Sequence, residues 1–438
     1  MNNAKYFLLV LIALIVASLA CGSVQVGIVA PTEETGIQPT NQAQAPEPEL
    51  AVIDDVESQI VEQPSPEPTE QAPAYSIPTL AYIGPDNNVW VLEAGSETPR
   101  QLTFDANLGG EGTTVEYMSP SLSFDGTFMA YGLLASTPGD NGYDSTYGLW
   151  VMNLATGEQH QVMESRAAGY AWKPGTHLLA FGTGQDLEYF ISRSDPDFDL
   201  ATGISAINLD NGEIVDLVAP ERGYALANPN WSPDGRFLAF SEVDSMEGSG
   251  MFAYYDLEIQ EYFAWDEKLG STSWSPNGGL LAYDRIIYVP TGEERLYVRP
   301  RHGSEQLLGP NYDGPAYASQ PLFSPAGDKI AYLAHLEGPD TFFASIMVLD
   351  QAGGDSKSLG QFEDVWELAW VADGSQVVFS FGPYKSRQIV AIKVSDGSQT
   401  VLATGSQPAL ALSLIHISEP TRLRRKSRMP SSACKRGG

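Results

Sequence analysis

The sequence predicts an all-β fold, a β-propeller of seven four-stranded blades, on three observations. One motif recurs six times: a bulky residue, a Ser-Pro-Asp-Gly-like turn, then an apolar strand ending in Ala-aromatic. The bulky residues stand at Leu122, Trp172, Trp231, Trp274, Phe323 and Trp370, spaced by 50, 59, 43, 49 and 47. A second hairpin follows each copy, with no helical stretch between. Four strands in roughly 50 residues is the sequence form of a propeller blade, which shields its apolar faces only when neighbours stack beside it.

Taken from the N-terminus, residues 1–21 carry one Lys, an apolar run from Tyr6 to Ala17, and small residues before Cys21. That is a secretory signal, too short for a comfortable membrane span. Residues 22–75 read as a disordered acidic, Pro-rich tether. Between 22 and 74 there are eight Pro, ten Asp/Glu, no Lys or Arg and no aromatic residue. Such a stretch lacks the apolar surface to offset ordering entropy. A flexible chain of this length spans roughly 40 Å r.m.s..

The propeller is expected over residues 76–411. Thr79–Tyr82, Val89–Leu92 and Arg100–Phe104 supply three strands of a first blade. Six full repeats follow. In their turns Pro fixes φ, Asp tolerates the bridge region and Gly closes the turn at low cost. The turn glycines are Gly126, Gly175, Gly235, Gly278, Gly327 and Gly374. The bulky column should pack between blades, each buried aromatic contributing about 1.5–3 kcal/mol. Third strands fall at Leu149–Leu154, Ile204–Leu209, Met251–Leu257, Leu296–Arg299, Ile346–Leu349 and Ile389–Val394. Ser406-Gln-Pro-Ala-Leu-Ala411 repeats the pattern of Ser319-Gln-Pro-Leu-Phe323 and is the candidate for the strand that the first blade lacks, outer or inner. A longer chain leaves room for an eighth blade. Residues 412–438 carry seven Lys/Arg and one Glu. Leu412–Arg422 resembles a translated sequencing adapter, so this tail is set aside as an artefact.

Composition narrows the function. The chain has 24 Lys+Arg against 55 Asp+Glu, a net charge of −31. A nucleic-acid partner needs a basic surface, and two cysteines make neither a disulfide framework nor a structural zinc site. His160, His177, His302 and His335 are scattered, with no catalytic constellation nearby. Asp195, Asp197 and Asp199 alternate like calcium-loop carboxylates but lack the Gly and distal Glu of an EF-hand; a solvated acidic loop is the plainer alternative. No cofactor is expected. Longer loops inserted at Leu134–Gly148, Gly182–Gly203 and Glu242–Gly250 should project from one face. They carry Tyr143, Tyr147, Tyr189, Phe190 and Phe198 among Asp140, Asp144, Asp186 and Glu188. Aromatic residues in an acidic frame suit protein or peptide binding; caps on the blade ends would use the same rings.

Two resemblances follow from these motifs. Ser18-Leu19-Ala20-Cys21 resembles a lipobox, with Ser18 where Leu is usual, which implies a diacylated Cys21. Ordinary cleavage after Ala20 fits the same small residues. The six repeats resemble the TolB-type, WD-like propellers of bacterial envelope proteins and of dipeptidyl peptidase IV-like proteins. The signal and the lipobox-like Cys21 imply a propeller exported across the inner membrane and held at the periplasmic or cell surface by lipid, a departure from TolB, which is soluble in the periplasm. Its expected role is non-catalytic: a monomeric scaffold binding an envelope protein, a peptide or a glycan. The alternatives are a carboxylate-based hydrolase or lyase, and the N-terminal propeller of a longer peptidase-like protein. No Gly-x-Ser-x-Gly elbow occurs.

Overall fold

The Ser-Pro-Asp-Gly segments form tight turns whose hydrogen bonds explain the residue choice. Gly235 N–H donates to Ser232 O at 2.8 Å, and the same i to i+3 bond recurs at Gly126, Gly278, Gly327 and Gly374. These glycines take φ between +63° and +76°, the left-handed region that a side chain disfavours. The turn serine then accepts from the first residue of the outgoing strand: Phe128, Phe237 and Leu280 N–H each lie 2.9 Å from the Oγ of Ser123, Ser232 and Ser275.

The computed structural model describes residues 77–411 apart from 110–111, 140–141, 184–201, 223, 244–249, 288–291, 310–316 and 336–342. Among the described residues, 28 strands form seven four-stranded antiparallel sheets. The closing blade contains β1 (Leu80–Ile83), β2 (Val89–Leu92) and β3 (Arg100–Gln101). The second blade is β4 (Thr114–Leu122), β5 (Phe128–Gly139), β6 (Gly142–Asn153) and β7 (Gln159–Met163). The third is β8 (Tyr170–Trp172), β9 (Leu178–Gly182), β10 (Ile204–Asn208) and β11 (Glu213–Val218). The fourth is β12 (Ala225–Trp231), β13 (Phe237–Val243), β14 (Met251–Asp256) and β15 (Glu261–Lys268). The fifth is β16 (Thr272–Trp274), β17 (Leu280–Ile287), β18 (Glu293–Pro300) and β19 (Gln306–Leu307). The sixth is β20 (Ala318–Phe323), β21 (Lys329–Ala334), β22 (Phe343–Asp350) and β23 (Lys357–Glu363). The seventh is β24 (Trp366–Trp370), β25 (Gln376–Phe381), β26 (Gln388–Lys393) and β27 (Gln399–Thr404).

The last strand, β28 (Ser406–Leu410), pairs antiparallel with β1 and so takes the first-strand position of the closing blade. Ala411 N–H donates to Thr79 O at 2.9 Å, standing where a covalent turn joins these strands in the other blades. First strands of neighbouring blades touch one another around the ring, which places them at the hub. The ring has no free hub edge between its first and last blades.

The bulky column packs between blades as its spacing predicts. Trp231, Trp274, Phe323 and Trp370 are buried, and Trp172 is partly so. Three indoles also hydrogen-bond to the preceding blade: Trp172 Nε1 to Ser121 O at 3.0 Å, Trp231 to Ala171 O at 3.2 Å and Trp370 to Leu322 O at 2.9 Å. Trp274 instead stacks on Phe237, centroids 5.9 Å apart, and its Nε1 has no partner among the described residues.

One expectation is corrected. Leu134–Gly148 is not an irregular loop. β5 and β6 continue as 12-residue strands, paired from Phe128↔Asn153 out to Gly139↔Gly142. Thr137, Thr146 and Tyr143 are residues that suit a pleated, half-buried ribbon, so the insertion extends the ladder and forms an arm.

Candidate functional site

Strand direction puts the connections between second and third strands on the same face as those between blades, and the Ser-Pro-Asp-Gly turns on the other. The exposed aromatic residues among the described ones are Phe104, Tyr143, Phe343, Trp366 and Tyr384. All five belong to the first face, none to the turn face. Tyr143 is 70% exposed near the tip of the β5–β6 arm. Asp144 pairs with Thr137 across the arm, and Tyr147 with Leu134, its ring 5.7 Å from the Arg166 guanidinium. Tyr189, Phe190, Phe198, Asp140, Asp186, Glu188, the calcium candidates Asp195, Asp197 and Asp199, and Cys21 lie outside the described residues.

At the hub on this face the first strands share an unusual backbone. Ser119, Asn228, Gln320, Glu367 and Gln407 have φ between +51° and +54°, and Gly169 has +83°. Each stands three residues before the bulky residue of its blade. The five non-glycine residues occupy β-bulges, and Pro120, Pro229, Pro321 and Pro408 follow four of them at positions outside the ladder. Positive φ at non-glycine residues is uncommon and persists where the surroundings fix it.

The fixing bonds run from blade to blade. Asn228 N–H donates to Ala168 O at 2.7 Å, Gln320 N–H to Asp284 Oδ1 at 3.0 Å, and Ser119 N–H to Gln407 Oε1 at 2.5 Å. Gln407 N–H donates to the Glu367 carboxylate. In each case the acceptor belongs to the preceding blade.

Two of these acceptors are carboxyls, Asp284 buried and Glu367 half-buried. Asp284, 2% exposed, also accepts from Ser271 N–H at 3.0 Å and shares a hydrogen bond with Glu294. Burial raises the Asp284 carboxyl. Burial and the neighbouring Asp284 charge push Glu294 up to about 7, because two carboxylates this close resist being charged together. Burial likewise raises Glu367, opposed by Ser380 Oγ at 2.8 Å, Arg387 and the Gln407 N–H. No group of three or more His, Cys, Asp or Glu among the described residues is placed to hold a metal ion.

Between the seventh and closing blades this face opens into a cavity of about 390 Å³, lined by Gly84, Pro85, Asn87, Tyr384, Arg387, Thr404, Gly405 and Ser406. Tyr384 OH donates to Asn87 Oδ1 at 3.2 Å across it. Arg387 Nε donates to Gly382 O at 3.1 Å and Nη2 pairs with Asp364. Trp366, 48% exposed, donates Nε1 to Asp364 at 2.6 Å and lies 5.8 Å from the Arg387 guanidinium.

No family model and no curated protein matches the chain. Solved structures do. A prolyl endopeptidase superposes with TM-score 0.52 at 14% identity, over 74% of this chain and 46% of that one. An oligogalacturonate lyase in complex with manganese gives 0.50 at 14%, over 75% and 85%. A protein named TolB from Agrobacterium tumefaciens gives 0.36 at 15%, over 66% and 91%. The feature shared with the first two is the β-propeller. At these identities the likeness shows the fold alone, and the chain spans about half the length of the prolyl endopeptidase.

Of the three insertions read from the sequence, Leu134–Gly148 stands on this face as the arm, and most of Gly182–Gly203 and Glu242–Gly250 lies outside the described residues. The left-handed hub residues and the cavity were not legible in the sequence. The signal for the former is the dipeptide x-Pro two residues before the bulky position, at 119–120, 228–229, 320–321 and 407–408.

Proposed function

We propose that the chain is a non-catalytic, extracytoplasmic binding scaffold, tethered to a membrane through Cys21, whose arm-bearing face takes an envelope protein, a peptide or a glycan. The observation that carries this is that the exposed Phe, Tyr and Trp side chains among the described residues lie on one face of a closed ring. Large apolar side chains on a rigid support are what interfaces use as anchors. The net charge of −31 favours a partner with a basic surface.

A photo-crosslinking residue at Tyr143 or Phe104 should trap one saturable partner, and the same residue at Ile259, on the opposite face, should trap none. Equal labelling at all three would overturn the binding-face assignment. Cys21→Ser should abolish palmitate incorporation and release the protein from the membrane fraction; retention there would rule out the lipid tether.

A carboxylate-based hydrolase or lyase is the second reading, favoured by the hydrogen-bonded Asp284–Glu294 pair. Asp284 is already committed to two backbone N–H groups, which argues for a frame role. Turnover of any substrate that Glu294→Gln abolishes would favour the enzyme. A propeller detached from a peptidase-like protein is the third reading, and resequencing the coding region beyond Ala411 decides it.

A further inference from the structure

We propose that the cavity between the seventh and closing blades is a saccharide subsite, accepting one or two rings of a neutral glycan. The proposal rests on the binding-face assignment only in placing the cavity on that face. Its volume of about 390 Å³ lies at the small end of ligand pockets, which run from about 300 to 1,000 Å³.

The lining chemistry selects the class. Asn87, Tyr384, Thr404 and Ser406 both donate and accept, as sugar hydroxyls do. With Oδ1 of Asn87 taken by Tyr384, its amide N–H₂ is the donor left for a ligand. The one charged lining residue, Arg387, is paired with Asp364, so an anionic ligand would have to compete with that carboxylate. A peptide extending a sheet edge needs open backbone N–H groups, and here Gly405 N–H is held by Arg387 O at 2.9 Å and Gly84 N–H by Asn88 O at 2.8 Å.

One ring face completes the site. Tyr384 is 64% exposed and is held at its hydroxyl by Asn87. Anchoring the polar edge leaves the apolar face open to the C–H face of a sugar, with little ordering cost on binding.

The full chain is titrated with neutral mono-, di- and trisaccharides (glucose, maltose, cellobiose, chitobiose and chitotriose), read by calorimetry and tryptophan fluorescence. At least one should bind saturably. Tyr384→Ala and Asn87→Ala should each weaken it tenfold or more with an unchanged unfolding midpoint, and Ile259→Ser should leave it unaltered. The proposal is overturned if no saccharide binds, if binding ignores both cavity variants, or if only a uronate or a peptide binds there. Loss of saccharide binding with the Tyr143 crosslink intact removes the subsite alone. The reverse removes the scaffold assignment alone.

Discussion

Trp370 and Trp274 occupy equivalent positions, yet only one uses its indole N–H. Replacing Trp370 by Phe removes the indole donor from the half-buried Leu322 carbonyl, and leaving a polar group unsatisfied costs up to about 1–3 kcal/mol when it is buried. Trp274→Phe breaks no hydrogen bond among the described residues. Urea unfolding should therefore show a clearly larger loss for Trp370→Phe than for Trp274→Phe; equal losses would mean that ring packing alone sets the cost. Gly270 sharpens the same point. A Cβ there would run into the Asp284 carboxylate, so Gly270→Ala must displace a group that ties two blades together. Gly235→Ala meets mainly its positive φ of +68°, worth about 1–2 kcal/mol. Gly270→Ala should be the more destabilising of the two in the same measurement.

At the scale of elements, two blade junctions carry groups whose protonation is linked to folding. Glu294, at about 7 in the fold, titrates near 4.3 in an unfolded chain. The native state therefore binds more protons between those values, and stability falls as pH rises from about 4.3 to about 7, then levels. Glu294→Gln should flatten that slope in urea midpoints taken across the range. On the opposite face His177 joins the second and third blades, Nδ1 at 2.6 Å from Asp210 and Nε2 at 3.1 Å from Asp125. Burial lowers the imidazole, but its hydrogen bonds to Asp210 and Asp125 more than offset this and raise it. Its contribution is full below the unfolded value of about 6.5 and is lost as pH rises through the higher folded value. His177→Gln should remove a loss of stability on the alkaline side of 6.5, visible in the same titration. A wild-type profile rising with pH would contradict both assignments.

Over the whole molecule, closure depends on one five-residue strand. β28 buries Leu410 and, with Ala411 after it, links the seventh blade to β1. A stop codon after Thr404 would expose the β1 edge and the apolar flanks of two blades. Calorimetry should then show a lower, broader transition than any single substitution gives, with concentration-dependent association from the open edge. An unchanged transition would mean that the ring does not rely on this clasp.

The blade is written in the chain order alone. The Ser-Pro-Asp-Gly turns and the bulky column act through neighbours in the chain or through a repeated interface, so six copies make them legible. The sequence also marked Ser406–Ala411 as the closing segment, because those residues repeat Ser319–Phe323. The remaining features arise from contacts between distant segments. That β28 is the inner strand, that Gln320 N–H meets Asp284, and that Tyr384 reaches Asn87 over 297 residues all depend on the ring bringing distant segments together. The Leu134–Gly148 arm was misread as a loop for a related reason: a ladder needs its partner strand to be seen. Local chemistry fixes a turn, whereas a seam between blades is set by the rotation that closes the circle.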